Sequence, residues 1–563
     1  MTSKVKGAKI LLSALKKEGV DTIFGYPGGV LLDIYDELYK QKDIKHYLVR
    51  HEPGAAHAAD AYASVSGKVG VCLATSGPGA TNLVTGIANA HMDSIPIVAL
   101  TGQVSTNAIG KDSFQEADIT GITLPITKHN FLVKDTKDLA QIVKEAFYIA
   151  KSGRPGPVLI DIPKDVSQGL IEHKLHDKVK IPSYNPTYKG NIKQIKTAAD
   201  MIAKAKKPVI LAGGGLVLSD SAKELQTFVK KTSIPVITTL MGIGIFPGTD
   251  PLSLGFVGMH GSAYANYALA GCDLVIAMGT RFSDRVTGKL STFIPNAKII
   301  HIDIDPAEIG KCVLPTIPIV GDVKQVLKDL NPLAKAPAIK PWLDQIQKWK
   351  KNYPLSYKKN TKKLYPQFVV EEINRLTKGK AIITTEVGEN QMWAAQFIKK
   401  IKPRHFVTSG GLGTMGFGFP AAIGAQIAAP DKLVIDIAGD GSLQMNIQEL
   451  GTLVRFDLPV KIAILNNGYL GMVRQWQELF YGKRYSETDL ITGGNPDFVK
   501  VAEAYGVLGL RASNEKEAKD ILQKGINHKG PVLMDFVVEP EANVFPMVPA
   551  GGMLDKMIME EDT

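Results

Sequence analysis

The chain has 563 residues, 45% of them hydrophobic and 21% charged, with a formal net charge of +11 at pH 7. That length exceeds what one hydrophobic core serves and predicts roughly three or four domains. The composition excludes a disordered chain, and no apolar run approaches the ~20 residues that a membrane-spanning helix needs. The positive charge does not point to nucleic acid. Much of the excess lies in residues 335–363, where "IQKWKKNYPLSYKKNTKKLYP" is broken by proline and sets no aromatics along an extended basic face. A solvated linker is expected there, and positive potential also favours an anionic small-molecule ligand.

In chain order, "MTSKVKGAKILLSALKKEGV" reads as an amphipathic first helix and not as a signal peptide, because lysines flank both ends and no small-residue cleavage site follows. The cytoplasm is the expected compartment, with no membrane contact. Short β-branched runs then recur, each followed by a glycine-bearing turn and a helical pattern: "KVGVCLATSGPG" (68–79), "PVILAGGG" (208–215), "AKIIHIDIDPAEIG" (297–310) and "DKLVIDIAGDGS" (431–442). Continuous apolar strands alternating with helices predict an α/β protein of three doubly wound parallel-sheet domains. Periodicity is lost near 170–190 and near 335–365, which places the domains at 1–180, 190–335 and 366–563 with a linker over 336–365. Cys72, Cys272 and Cys312 lie far apart with no metal or disulfide spacing, so buried free thiols are expected.

The first and third domains read as relatives. "ATSGPGATNLVTGIANAHMDSIPIVAL" and "IAGDGSLQMNIQELGTLVRFDLPVKIAIL" both run strand end, glycine turn, helix and a proline opening the next strand, with Ser76 to Pro96 spaced as Gly439 to Pro459. "PGAAHAADAYA" (53–63) is matched by "FPAAIGAQIAA" (419–429). Shared βαβ rhythm alone can produce such likeness, and duplication explains it more fully. The middle domain, with "GGG" at 213–215 and "HIDID" at 301–305, is a separate doubly wound unit.

Asp440 follows a strand and precedes a helix, which puts it at the carboxyl edge of a parallel sheet, where such folds bind ligands. Asn467 ends the next strand, "VKIAIL", on the same edge. A carboxylate, an amide oxygen and a loop carbonyl converging through glycine turns make a hard-oxygen site of the kind Mg²⁺ prefers when it bridges to phosphates. The glycines let backbone N–H groups and the helix start approach those phosphates. Glu52 stands at another helix start, where a glutamate is ordinarily a capping residue. Met472, Trp476 and Leu479 fall at helical spacing and read equally as core. Arg285 reads equally as the surface partner of Asp284.

The GDG…NN spacing from Gly439 to Asn467, together with "RHEPGA" around Glu52, resembles the thiamine-diphosphate enzymes. Across nearly the whole chain the sequence is similar to the biosynthetic acetohydroxyacid synthase (acetolactate synthase) family, large catalytic subunit. The motifs are "GYPGG" (25–29), "RHEPGAAHAADAYA" (50–63), "SGPGATN" (76–82), "KDSFQEADI" (111–119), "ITKHN" (126–130), "GRPGPVLIDIPKD" (153–165), "MHGSAYANYA" (259–268), "RFSDRVTGK" (281–289), "HIDIDPAEIGK" (301–311), "QMWAAQF" (391–397) and "LGMVRQWQELFY" (470–481). The resemblance implies an N-terminal pyrimidine-binding domain, a central FAD-binding domain and a C-terminal diphosphate and Mg²⁺ domain. It implies Asp440, Asn467 and the Tyr469 carbonyl as Mg²⁺ ligands. Thiamine diphosphate would meet Glu52, Gly388, Gly413, Met415, Gly441, Ser442, Leu470, Gly471 and Met472. FAD would meet Arg154, Gly213, Gly214, Gly215, Thr239, Leu240, Met259, His260, Arg281, Phe282, Ser283, Asp303, Ile304, Asp322 and Val323.

The implied reaction decarboxylates pyruvate and joins the remaining two-carbon unit to a second pyruvate, giving 2-acetolactate, or to 2-oxobutyrate, giving 2-aceto-2-hydroxybutyrate, for isoleucine, valine and leucine. Glu52 would relay a proton to the cofactor, and Met415 would hold its bent conformation. Gln115, Lys164 and Arg285 would serve the acceptor, with the Arg285 guanidinium as its carboxylate clamp, and Trp476 would face the extra methyl of 2-oxobutyrate. A homodimer or dimer of dimers and a small regulatory subunit are the implied partners. Val30, Ser105 and Ala550 depart from the family's usual Ala, Pro and Ser, which bears on inhibitor sensitivity and turnover and removes no catalytic group. The alternatives are an FAD-free catabolic acetolactate synthase, a pyruvate-oxidase-like thiamine enzyme, and a non-enzymatic nucleotide-binding module. The last would require loss of Glu52 or Asp440, and both are present.

Overall fold

The computed structural model describes residues 4–172, 174–175, 178–179, 181–357, 363–492 and 494–562. β1 (Lys4–Lys6) comes first. A sheet follows of β2 (Thr22–Gly25), β3 (Lys45–Leu48), β4 (Gly70–Ala74), β5 (Ile97–Gln103), β6 (His129–Leu132) and β7 (Val158–Pro163), ordered β3-β2-β4-β5-β7-β6. β8 (Leu170–Glu172) returns to pair antiparallel with β1. A second sheet holds β9 (Pro208–Ala212), β10 (Val236–Thr238), β11 (Ser253–Phe256), β12 (Leu274–Met278), β13 (Lys298–Asp303) and β14 (Ile317–Val320), ordered β11-β10-β9-β12-β13-β14. The third holds β15 (Ile382–Thr385), β16 (Phe406–Val407), β17 (Val434–Gly439), β18 (Lys461–Asn466), β19 (Leu508–Ala512) and β20 (Val532–Val537), ordered β16-β15-β17-β18-β20-β19. Every pairing within these three sheets is parallel. This is the α/β architecture that the strand–turn–helix rhythm predicts.

β4, β5, β9 and β12 are buried along their whole lengths, which is why they read as unbroken apolar runs. The first and third sheets share one strand order, while the second has the order of a dinucleotide-binding fold, reversing direction between β9 and β12. The helices Glu52–Ser66 and Gly418–Ala428, the pair matched in the sequence, pack on each other. A Cβ on Gly424 would run into the Ala58 carbonyl, so the contact is backbone on backbone and admits no side chain there. Arg404 joins all three units. Its guanidinium donates to the Ser64 carbonyl near the end of the first helix at 3.0 Å and to the Leu218 carbonyl ending helix Gly214–Leu218 at 3.3 Å. A cation at two helix C-termini is favourable on both counts.

Two expectations change. The stretch read as solvated linker carries a helix, Lys340–Asn352, whose Trp342 and Ile346 are buried in the core of the second unit. Trp342 Nε1 donates to the Pro208 carbonyl at 3.2 Å, and its ring meets Trp349 edge to face. Trp342, Ile346 and Trp349 recur at helical spacing, a stripe that the lysines on the other face obscured. Residues 358–362 of that stretch, and parts of the 170–190 boundary, lie outside the described residues. Cys312 is only half-buried, whereas Cys72 and Cys272 are buried as expected. Burial pushes the Cys72 thiol up to about 12, which makes it inert. No helix among the described residues is long and apolar enough to cross a membrane.

Candidate active site

The carboxyl edge of the third sheet gathers the candidate metal ligands because β17 and β18 are neighbours, with Gly439 opposite Leu465. Asp440 opens the short helix Asp440–Leu443 and is almost fully buried. Its carboxylate accepts a hydrogen bond from Asn495 Nδ2 at 2.8 Å, and the Gly468 N–H favours its ionised form, which sets it against the loop of Asn467 and Tyr469. Asn467 Oδ1 accepts from the Tyr469 N–H at 3.1 Å, and its Nδ2 donates to Glu389 Oε2 at 3.2 Å. Burial pushes the Asp440 carboxyl up to about 6, and a cation beside it would reverse that shift. One carboxylate, one amide oxygen and one carbonyl fit a Mg²⁺ that keeps waters and phosphate oxygens for its other positions. Among the described residues no group of three or more His, Cys, Asp or Glu side chains is placed to hold a metal.

The same edge suits a diphosphate. Helix Gly471–Phe480 begins beside Asn467, so its first-turn N–H groups, without intrahelical partners, face the site. Leu470 packs near Gly441, where a Cβ would sit 3.0 Å from Leu470 Cδ2, and Ser442 Oγ donates back to the Gly439 carbonyl at 3.2 Å. Gly388, after β15, has φ +145° and ψ −155°, a backbone that glycine alone takes readily. Residues 409–416, after β16, form a loop whose Met415 reaches toward Gly441, its Cε 3.9 Å from where a Cβ would stand.

A cavity of about 1400 Å³ runs from the Gly388 and Gly413 side of this edge to the switch point of the second sheet, and Asp440, Asn467, Tyr469, Met415, Gly441, Ser442, Leu470 and Gly471 do not line it. That volume exceeds the ~300–1,000 Å³ of a site for one small ligand. Its wall includes Gly388, Gly413, Met472 and Trp476 from the third unit. From the second it includes Gly214, Gly215, Thr239, Leu240, Met259, His260, Arg281, Ser283, Arg285, Asp303, Ile304, Asp322 and Val323, and from the first Arg154. Gly213 lies just behind, where a Cβ would strike the Gly279 carbonyl, so two backbones close the crevice between β9 and β12. Phe282 is in the core against Phe293 and His301 and does not line the cavity. His260 Nδ1 is buried without a partner, and burial pushes its ring down to about 3. The glycine cradle, this orphaned ring nitrogen and the volume fit a dinucleotide. Arg154 is engaged by Glu308 at 2.7 Å and Asp305 at 3.2 Å. Arg285 forms the surface ion pair with Asp284 at 2.9 Å, its side chain 62% exposed on the cavity wall.

Glu52, Gln115 and Lys164 lie on another edge, the carboxyl edge of the first sheet. Glu52 begins helix Glu52–Ser66, and its Oε2 accepts from Asn82 Nδ2 at 3.1 Å. Gln115 sits at φ +59° with its backbone against Gly77, and Lys164 starts helix Lys164–Gln168 after β7. None of the three lines the cavity. The start of the Glu52 helix is instead fastened to Glu449 of the third unit, whose Oε1 accepts from the N–H groups of Arg50 at 2.9 Å and His51 at 3.1 Å.

Three groups escaped the sequence reading. Glu389 is buried beside Asn467 with Oε1 unpartnered, and burial pushes its carboxyl up to about 8. Its signal was present: an acid directly after Gly388 at a strand end. Asn495, which holds Asp440, comes from a distant loop with no local pattern. Asp93, on the cavity wall, ends a helix and was passed over as a helix residue.

Comparison with known families matches three segments in order: residues 5–122 to the thiamine pyrophosphate enzyme N-terminal TPP-binding domain, 195–330 to the central domain and 386–536 to the C-terminal TPP-binding domain. The chain is 52% identical to the "Acetolactate synthase large subunit" of Cyanidium caldarium, over 98% of this chain and 96% of that protein. It is 51% identical to the "Acetolactate synthase" of Mycobacterium bovis, over 98% and 91%. It is 52% identical to the "Probable acetolactate synthase large subunit" of Methanocaldococcus jannaschii, over 98% and 95%. With half its residues shared along nearly its full length and all three domains matched in sequence, the chain belongs to the acetolactate synthase large-subunit family of thiamine pyrophosphate enzymes.

Proposed function

We propose that the protein condenses two pyruvates into 2-acetolactate with release of CO₂, and pyruvate with 2-oxobutyrate into 2-aceto-2-hydroxybutyrate, in branched-chain amino acid biosynthesis. The observation that supports this reading is a cavity reaching from the dinucleotide crevice of the second sheet to Gly388, Gly413, Met472 and Trp476, on the same carboxyl edge of the third sheet as Asp440 and Asn467. Thiamine diphosphate, when bound, supplies the electron sink for cleaving a bond next to a carbonyl. Asp440, Asn467 and the Tyr469 carbonyl would hold its Mg²⁺, and the start of helix Gly471–Phe480 its diphosphate. FAD would occupy the crevice lined by Gly214, Gly215, His260, Arg281 and Asp303. Glu52 holds and moves a proton at the aminopyrimidine ring, and Met415 props the cofactor. Gln115, Lys164 and Arg285 receive the acceptor carboxylate. The domain limits we propose are those read from the sequence, with helix Lys340–Asn352 counted into the central unit on which it packs.

The active assembly is a homodimer or a dimer of dimers, joined by a small regulatory subunit. Glu52 stays on the edge of the first sheet, outside the cavity that holds Gly388, Gly413 and Trp476, and its helix start is committed to Glu449 of its own chain. We infer that one cofactor touching both edges takes its Glu52 from a second copy of the chain, and two-fold symmetry then gives two such sites.

Trp476 sets acceptor choice. It is half-buried on the cavity wall with its ring edge to face against Phe480, and one methylene in an apolar pocket is worth ~1–3 kcal/mol, roughly 10–200-fold in selectivity. Trp476→Leu is expected to lose most of the preference for 2-oxobutyrate over pyruvate while still forming acetolactate. Both products are read separately in a competition assay, and an unchanged product ratio would reduce Trp476 to packing. The reading as a whole is tested by assaying acetolactate from pyruvate with thiamine diphosphate, Mg²⁺ and FAD each omitted, alongside the flavin released on denaturation. Activity should need the first two, and the purified protein should be yellow. Rapid bleaching of the flavin by pyruvate would instead indicate an oxidase.

A further inference from the structure

Asp93 occupies a position that two physical effects oppose. It is the last residue of helix Val84–Asp93, where the macrodipole disfavours a carboxylate, and it is 7% exposed. Its partners explain why it is held there. Oδ2 accepts from the Gly410 N–H at 3.0 Å and Oδ1 from the Gly411 N–H at 2.8 Å, so both oxygens grip successive peptides of the third unit's loop. Arg281 of the second unit lies against the same spot, its Nη2 3.2 Å from where a Cβ on Gly411 would stand and its Nη1 donating to the Met92 carbonyl; burial pushes the Asp93 carboxyl up to about 6, while the Gly410 and Gly411 N–H groups and Arg281 favour its ionised form. Three units thus meet at one carboxylate on the cavity wall.

The rest of the loop is pinned from the same side. Asn89, one helical turn before Asp93, donates to Asp60 at 3.1 Å and accepts from Ser409 Oγ at 2.5 Å. That Oγ in turn accepts from the Gly413 N–H at 3.0 Å and the Thr414 N–H at 2.8 Å. Beyond Met415, Glu386 accepts from the Gly416 N–H at 2.7 Å and the Phe419 N–H at 2.9 Å. Ser409 and Glu386 belong to the loop's own sheet unit, whereas Asn89 and Asp93 reach it from the first unit; Asn89 meets the Ser409 hydroxyl, and Asp93 is the one that grips the Gly410 and Gly411 peptides.

We propose that Asp93 is a positioning residue: by fixing the Gly410 and Gly411 peptides it sets Gly413 and Met415 in the place from which they meet the thiamine cofactor. This rests on the thiamine reading of that loop. Asp93→Asn keeps the volume but offers one acceptor oxygen where two N–H groups need it, and turns a donor toward the other. Hydrogen exchange of the full-length protein, with and without thiamine diphosphate and Mg²⁺, reads the clamp. Cofactor titration by tryptophan fluorescence reads its consequence.

In Asp93→Asn, exchange over 409–416 is expected to quicken about tenfold without cofactor, and the apparent Kd for thiamine diphosphate to rise about tenfold, as loss of a hydrogen bond to a charged group does. The melting temperature and exchange in β4 and β17 should stay near wild type. KM for pyruvate should change less than kcat, because the loop orients the cofactor. Unchanged loop exchange, or faster exchange with unchanged cofactor affinity, would overturn the proposal, and so would a uniform rise in exchange with a lowered melting temperature, which marks interdomain glue alone. Should the variant not fold, the wild-type apoprotein decides: Gly410 and Gly411 amides exchange slowly if Asp93 holds them, and free-loop rates refute it. Failure of wild-type protein to bind thiamine diphosphate at all would refute the cofactor reading and leave the exchange result as a separate outcome.

Discussion

Glu52→Gln is expected to lower acetolactate formation about 10²–10⁴-fold, the usual cost of losing a positioned proton-transfer group, while thiamine diphosphate still binds. The substitution keeps an amide oxygen to accept from Asn82 Nδ2, now at 3.1 Å from the carboxylate, so the side chain can stay in place. The helix it begins remains fastened through Glu449 to the Arg50 and His51 N–H groups. Stability should therefore fall only by the loss of a negative charge at a helix start, ~0.3–1 kcal/mol. Steady-state rates and cofactor titration separate the two properties. Turnover near wild type would remove Glu52 from the proton relay.

Asp440→Ala is expected to act in the opposite sense, abolishing cofactor retention. The carboxylate is the only charged member of its donor set, and replacing an outer-sphere partner already costs 10–100-fold in metal affinity. The Mg²⁺ concentration that supports thiamine diphosphate binding should therefore rise at least ~100-fold. The apoprotein should respond differently. Asp440 has its carboxyl raised from 3.8 to about 6 by burial. Its contribution to stability is thus fully present below about pH 4 and lost as pH rises through about 6. Removing it relieves that loss above pH 6, so apoprotein melts of wild type and variant should diverge in the variant's favour between pH 4 and 6, net of the partner that Asn495 loses. An unaltered Mg²⁺ requirement would show that the cation is held elsewhere.

The fold was largely legible because parallel strands buried on both faces write themselves as apolar runs, as β4, β9 and β17 do. The edge that carries Asp440 and Asn467 was legible for a related reason: Gly439 to Ser442 and Asn467 follow such runs directly, and β17 and β18 are neighbours. Helix Lys340–Asn352 was missed because its lysines dominate the composition while Trp342 and Ile346 carry the packing. Asn495 and Asp93 were missed because their partners, Asp440 and the Gly410 and Gly411 peptides, are distant in sequence, and no local period encodes a contact of that kind. From the sequence Arg285 reads as clamp or surface pair, and the structure pairs it with Asp284 on the cavity wall, where a carboxylate ligand would compete for the same guanidinium.

In the proposed assembly one site takes Glu52 from one chain and Asp440 from another. Mixing Glu52→Ala and Asp440→Ala proteins, each inactive alone, under conditions where subunits exchange, tests it most directly. A mixed dimer has one site with both defects and one with neither, so up to half of the mixed dimers' sites should regain wild-type turnover, and acetolactate should form from pyruvate. If mixed dimers are demonstrated and no activity returns, Glu52 and Asp440 serve a site within a single chain, and the two-chain account is wrong.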